Sequence, residues 1–310
     1  MCPAAQVPTE DLKEMFKTRM PRTRRALALA CALLAALLPS TAGAKTKAED
    51  KLKAEDVIAK HLEALGPQAA RDAAQTRIVG GTSRATFKAR STSGAIDGQV
   101  VIASDENKVV LGMKFDAPNY PGERFGFDGR KFTVGYLTPG VRSPMGNFAQ
   151  TNGEIFKEGL MGGTLTSAWA LLNLSERKAK VEYGGTDKVN DRPVHKLKYY
   201  PHKGSDLKIT LYFDAETFQH VRTQYDRIVG ARLGSGGPES SARQQETRYK
   251  IVEEFGDYKE EGKLKLPHSY KLQLEINKTD GSSLDRWEMV LDQFAFDQEI
   301  DERMFNVEAE

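Results

Sequence analysis

Cysteine is all but missing from this chain of 310 residues, with Cys2 and Cys31 the only two. Both fall in the first 44 residues, which read as a removable leader, so the rest has no disulfide to hold it and no thiol to attack a substrate or bind zinc. Long apolar runs are missing too. The longest, Ala26 to Leu38, has 13 residues, short of the roughly 20 that a membrane-crossing helix needs. Nor does one charge dominate. Without the leader, 39 basic residues face 40 acidic ones, which argues against a nucleic-acid partner or an anionic-membrane surface.

The motifs of common catalysts are also absent. There is no Gly-x-Ser-x-Gly elbow, no His-Glu-x-x-His and no phosphate loop. His61, His195, His202, His220 and His268 lie far apart in the chain and carry no acidic companions at zinc-site spacing. His195 and His202 could meet across a turn, but an exposed sheet face explains them equally well. The glycines Gly230, Gly234, Gly236 and Gly237 follow no strand-to-helix junction and make no dinucleotide site. No cofactor is expected. A hydrolase would need a site assembled from scattered residues.

The apolar run is preceded by Arg19, Arg22, Arg24 and Arg25 and followed by Pro39 and Ala42-Gly43-Ala44. That order of basic region, short apolar core and small-residue cleavage site predicts an export signal cut before Lys45. Met20 would begin a signal of ordinary length, so the residues before it read as an over-long start. The choice between the general and twin-arginine routes stays open. The 266 residues from Lys45 are enough to bury a core without staples and are read as one exported, monomeric domain.

In that domain the clearest signal is Leu264 to Ile276. Leu264, Leu266, His268, Tyr270, Leu272, Leu274 and Ile276 alternate with polar residues, which predicts a long strand with one dry face. Pro267 cannot donate to a ladder and favours an edge or bulged position near the strand's start. His268 on the dry face is either a core histidine or a ligand contact. Similar runs predict five strands between Ile78 and Leu137 and seven between Lys180 and Phe296, the first of these seven ending at Tyr183 ahead of Gly184-Gly185. Val109, Leu111, Met113 and Phe115 share one face, as do Phe132, Val134 and Tyr136. A helix is expected over about 50–65, ended by Gly66-Pro67, with a short second one near 68–74.

Between the two sets of strands, residues 139–176 carry Met145, Phe148, Ile155, Phe156, Leu160, Met161, Leu165, Trp169, Leu172 and Leu174 at helical spacings broken by five glycines. Two or three short helices with soft joints are expected, serving either as a core plug or as a movable cover. Residues 229–245 are polar and glycine-rich, a flexible loop. The sum is an α+β fold: a single antiparallel β-sheet curved by its natural twist, with an N-terminal helix and an inserted helical segment at about 140–176 suited to cover the concave face.

Several short motifs fit that order. They are Ile58-Ala-Lys-His-Leu-Glu-Ala-Leu-Gly66, then Tyr258-x-x-x-Gly262-x-x-x-Leu266-Pro267, and finally Phe294-x-Phe296 with Ile300-Asp301-x-x-x-Phe305. In these and in its order of elements the chain resembles the LolA-like superfamily of periplasmic lipoprotein carriers. The resemblance implies a periplasmic location and an open half-barrel, a single highly curved sheet with a helical lid across its mouth and an apolar hollow that holds acyl chains. It implies lid contacts from Phe148, Ile155, Phe156, Leu160, Met161, Leu165 and Trp169, and sheet lining from Val109, Leu111, Met113, Leu272 and Leu274, with His268 added from the strand pattern. The implied function is non-catalytic: a carrier for a lipid or lipoprotein acyl chain in outer-membrane biogenesis, loaded or relieved by a membrane protein. The alternative is a sensor or adaptor of the same fold that binds another envelope protein through a strand edge.

Overall fold

The computed structural model describes residues 52–89, 92–230, 246–279 and 281–308. The leader before Lys45 and most of the glycine-rich loop lie outside the described residues. Two helices come first, α1 (Ala54–Leu65) and α2 (Gln68–Ala73). Strands β1 (Thr76–Ala89), β2 (Thr92–Asp105), β3 (Lys108–Phe115), β4 (Gly122–Phe127) and β5 (Phe132–Val134) follow. After two short helices, α3 (Pro144–Thr151) and α4 (Glu154–Lys157), come β6 (Lys180–Val189), β7 (Arg192–Tyr200), β8 (Lys208–Asp214) and β9 (His220–Val229). The last strands are β10 (Thr247–Glu261), β11 (Leu264–Lys278) and β12 (Gly281–Phe296).

All twelve strands form one antiparallel sheet in the order β5-β4-β3-β2-β1-β12-β11-β10-β9-β8-β7-β6. Apart from β5 and β6, neighbours in the chain pair with each other, and β1 with β12 joins the two halves. The edges β5 and β6 do not pair, so the sheet is open. They are also consecutive in sequence. The chain between them must therefore travel from one edge to the other, a distance of about 50 Å for a flat sheet at roughly 4.8 Å per strand. It crosses the apolar side, and this crossing is the lid.

The strand pattern follows the alternation in the sequence. Val109, Leu111, Met113 and Phe115 are buried, as are Leu272 and Leu274 on β11 and Trp287, Met289 and Leu291 on β12. Pro267 behaves as its missing N–H requires. β11 is central, yet its pairing with β12 begins only at Ser269, so Pro267 meets a ladder partner on the β10 side alone. Two boundaries differ from expectation. β5 stops at Val134, and Tyr136 does not share the face of Phe132 and Val134: it is 43% exposed, with the Arg142 guanidinium over its ring. β6 runs past Gly184-Gly185, which form a bulge between Tyr183 and Thr186 rather than an end.

The C-terminal turn Glu302–Phe305 buries Phe305. The Val307 N–H then donates to Thr133 Oγ1 on β5, which ties the tail to that edge. No helix among the described residues is long and apolar enough to cross a membrane.

Candidate functional site

The concave face is covered by the lid, and the two surfaces interlock. Phe148, Ile155, Phe156, Leu160, Met161, Leu165 and Trp169 from the lid join Val109, Leu111, Met113, Leu272 and Leu274 from the sheet in one buried cluster. Each of these is at most 4% exposed. The expected open hollow is therefore occupied by the protein's own side chains: Phe156 stacks on Phe132 at 4.5 Å, and Trp169 stacks on His220 at 4.7 Å. Two depressions stand out among the described residues, of about 310 Å³ near Arg222, Lys250 and Arg286 and about 210 Å³ near Arg192 and Asp214. Neither is lined by any residue expected to hold a ligand. His268 stands apart from the lid. Its ring lies against Phe294 at 4.7 Å, and its Nε2 is 3.3 Å from Glu261.

What the sequence pattern did not reveal is a set of buried polar groups that fasten the middle of the lid. Glu253 on β10 is fully buried and accepts from the Gly162 N–H at 2.8 Å, the Tyr225 hydroxyl at 2.6 Å and the Tyr270 hydroxyl at 2.7 Å. The two tyrosines reach it because they sit diagonally across the ladder, beside its direct partners Thr223 on β9 and Leu272 on β11. Burial pushes the Glu253 carboxyl up to about 7, against the pull of its three donors. The signal was present in the chain, since Glu253 falls on the same alternation as Ile251 and Phe255. A charge on an apolar stripe marks a buried contact.

On the other side of the same turn, Arg77 at the start of β1 is 1% exposed. Its Nη1 donates to the carbonyls of Thr164 at 2.8 Å and Thr166 at 3.1 Å. Burial lowers its guanidinium to about 10. Next to it Ser104 Oγ accepts from the Ser167 N–H at 2.8 Å. Residues 162–167 are thus held by an acceptor from β10, a donor from β1 and a hydroxyl from β2.

A third fastening comes from α1. The Trp169 indole N–H donates to His61 Nε2 at 3.1 Å, and His61 Nδ1 is 3.0 Å from the Phe218 carbonyl. That pattern assigns the neutral ring with its proton on Nδ1, and burial lowers its pKa to about 4. His220 is likewise buried and its pKa pushed well down by that burial, with the Trp169 and Phe255 rings against it.

The lid's joints are tight. Gly159 has φ +64, and a Cβ there would stand 1.7 Å from the Ala168 carbonyl oxygen, because the Ala170 N–H folds back onto the Gly159 carbonyl. A second buried polar cluster lies near β4 and β12. There Trp287 Nε1 donates to the Tyr120 hydroxyl at 2.9 Å, which donates to Glu123 at 2.7 Å. Burial raises Glu123 to about 7 and the nearby Asp285 to about 6. His195 and His202 do not meet: the first bonds Tyr183, the second Glu154.

No protein-family model matches the chain, and no curated protein matches it. Several solved structures are similar. One is a DUF1329 family protein from Desulfovibrio piger, 10% identical, with 82% of this chain and 98% of that one covered at a TM-score of 0.45. Another is an outer membrane lipoprotein-sorting protein domain from Vibrio parahaemolyticus, 14% identical, covering 81% and 97% at 0.43. A third is the MucA/MucB complex of Pseudomonas aeruginosa, 10% identical, covering 78% and 99% at 0.22. The open sheet, N-terminal helix and inserted lid described above are the architecture that the LolA-like resemblance implies.

Proposed function

We propose that this protein is a non-catalytic, exported binding or carrier protein that takes a lipid or lipoprotein acyl chain between its lid and its sheet. One observation carries the reading. The interface between lid and sheet is a continuous apolar contact fastened at a few polar points, and the lid is one connection whose removal breaks no strand pairing. A guest chain supplies the same methylene contacts that the lid side chains supply here, at about 0.8 kcal/mol per buried CH₂. Exchange of lid for cargo is then close to balanced, which suits a carrier that must also release.

The strand-edge adaptor reading is less well served by the geometry. β5 is only three residues long, and β6 is bulged and carries Lys180, Glu182, Asp187 and Lys188. Both are features that blunt an edge against strand addition.

The lid carries its own reporter. Trp169 and Trp287 are the only tryptophans, so Trp287→Phe leaves one indole, buried in the lid. Titration of this variant with an acylated ligand is expected to shift Trp169 emission to the red as the ring leaves its pocket. Mass spectrometry of the purified protein is expected to find copurified lipid. An unmoved emission spectrum together with no binding of any acylated ligand refutes the carrier reading.

A further inference from the structure

On the lid side of the sheet, Arg77 has no countercharge among the described residues. Arg77 spends a single nitrogen, Nη1, on the two lid carbonyls, while Nε and Nη2 have no hydrogen-bond partner. No carboxylate forms an ion pair with it among the described residues, and its lowered pKa has burial as its only cause. Glu253 is not the missing partner, since its three donors are Gly162, Tyr225 and Tyr270. An ionised group with open donors is costly to bury, and such groups are ordinarily paired. The unused nitrogens are not scattered. Nε and Nη2 form one edge of the planar fork, the edge that holds a carboxylate or phosphate through two parallel N–H bonds.

From this vacant edge beneath a removable cover we infer that the cargo is an anionic amphiphile, whose carboxylate or phosphate head pairs with Arg77 while its chain takes the apolar contacts of the lid. The inference rests on the carrier reading above and narrows it to a substrate class. Lifting the lid removes the carbonyls of Thr164 and Thr166 from Nη1, so the guanidinium loses its only bonds as the hollow opens. An anionic head replaces them and leaves no open donor. A neutral ester or alcohol of the same chain length offers a weaker acceptor and no charge.

Calorimetric titration of the full chain at pH 8 with dodecanoate, dodecyl phosphate and 1-dodecanol, each kept below its aggregation limit, tests this. The two anions are expected to bind about tenfold or more tighter than the alcohol, the range for a hydrogen bond to a charged group. In Arg77→Leu the ratio of anion to alcohol affinity is expected to fall to about one, and Arg77→Lys is expected to keep part of it. Reading the ratio within each variant cancels any change in how easily the lid opens. Equal affinity for dodecanoate and dodecanol in the unaltered protein overturns the inference while leaving the carrier reading intact, and needs no folded variant. Displacement of dodecanoate by inorganic phosphate at the same concentration overturns it in favour of a small-anion site. No binding of any of the three overturns both readings.

Discussion

Replacing Glu253 by glutamine removes one ionisable group from under the lid and leaves its size almost unchanged. In the folded protein this carboxyl titrates at about 7, against an ordinary value of 4.5. Between those values the folded state binds more protons than the unfolded chain, so Glu253 contributes stability that is present below pH 4.5 and lost as pH rises through 7. A difference of that size corresponds to about 3 kcal/mol at 1.36 kcal/mol per pH unit. The opposite slope comes from His61, lowered from 6.5 to about 4. Its contribution is complete above pH 6.5 and lost as pH falls toward 4, by a similar amount. The unaltered protein therefore has a stability profile in which these contributions partly cancel between pH 4.5 and 6.5. The difference between Glu253→Gln and the unaltered protein isolates the carboxyl. Urea unfolding from pH 5 to pH 8 is expected to show the unaltered protein losing about 2 to 3 kcal/mol relative to the variant across that span. Parallel profiles refute the assignment of a neutral, fully buried carboxyl held by Gly162, Tyr225 and Tyr270.

Trp169→Ala empties a site that is 0% exposed and frees His61 Nε2. A loss of about 3–5 kcal/mol is expected in chemical unfolding, and a loss under 1 kcal/mol would mean that the lid barely rests on this ring. Gly159→Ala places a Cβ 1.7 Å from the Ala168 carbonyl oxygen at φ +64. Faster amide hydrogen exchange across residues 159–170 is expected, with the β10–β11 amides unchanged. Uniform protection would show that the joint tolerates a side chain.

The strands were legible because burial on one side of a sheet demands period-two alternation, and the runs at Val109–Phe115 and Leu264–Ile276 have it. Gly66-Pro67 marked the end of α1 for an equally local reason. Tyr136 was misplaced because alternation continues on paper after the ladder has ended at Val134, where Arg142 offers the ring a different neighbour. Gly184-Gly185 looked like a terminus because glycine both ends strands and bulges them. The lid and lining residues named from the resemblance lie in the common buried cluster, and His268, named from the strand pattern, sits against Phe294 and Glu261.

By itself the chain determined what each segment could be. Alternation, glycine joints and apolar spacing are local, and they specified five strands, a crossing segment rich in large side chains, and seven strands more. Only tertiary structure decided what the crossing segment meets. Arg77 and the carbonyls of Thr164 and Thr166 are about ninety residues apart, as are Gly162 and Glu253, while His61 and Trp169 are more than a hundred apart. No local pattern pairs groups at such separations. They are brought together because an open sheet whose edges are consecutive in the chain sends its connection across the concave face, where the few polar side chains have each other and the backbone of that connection to bond.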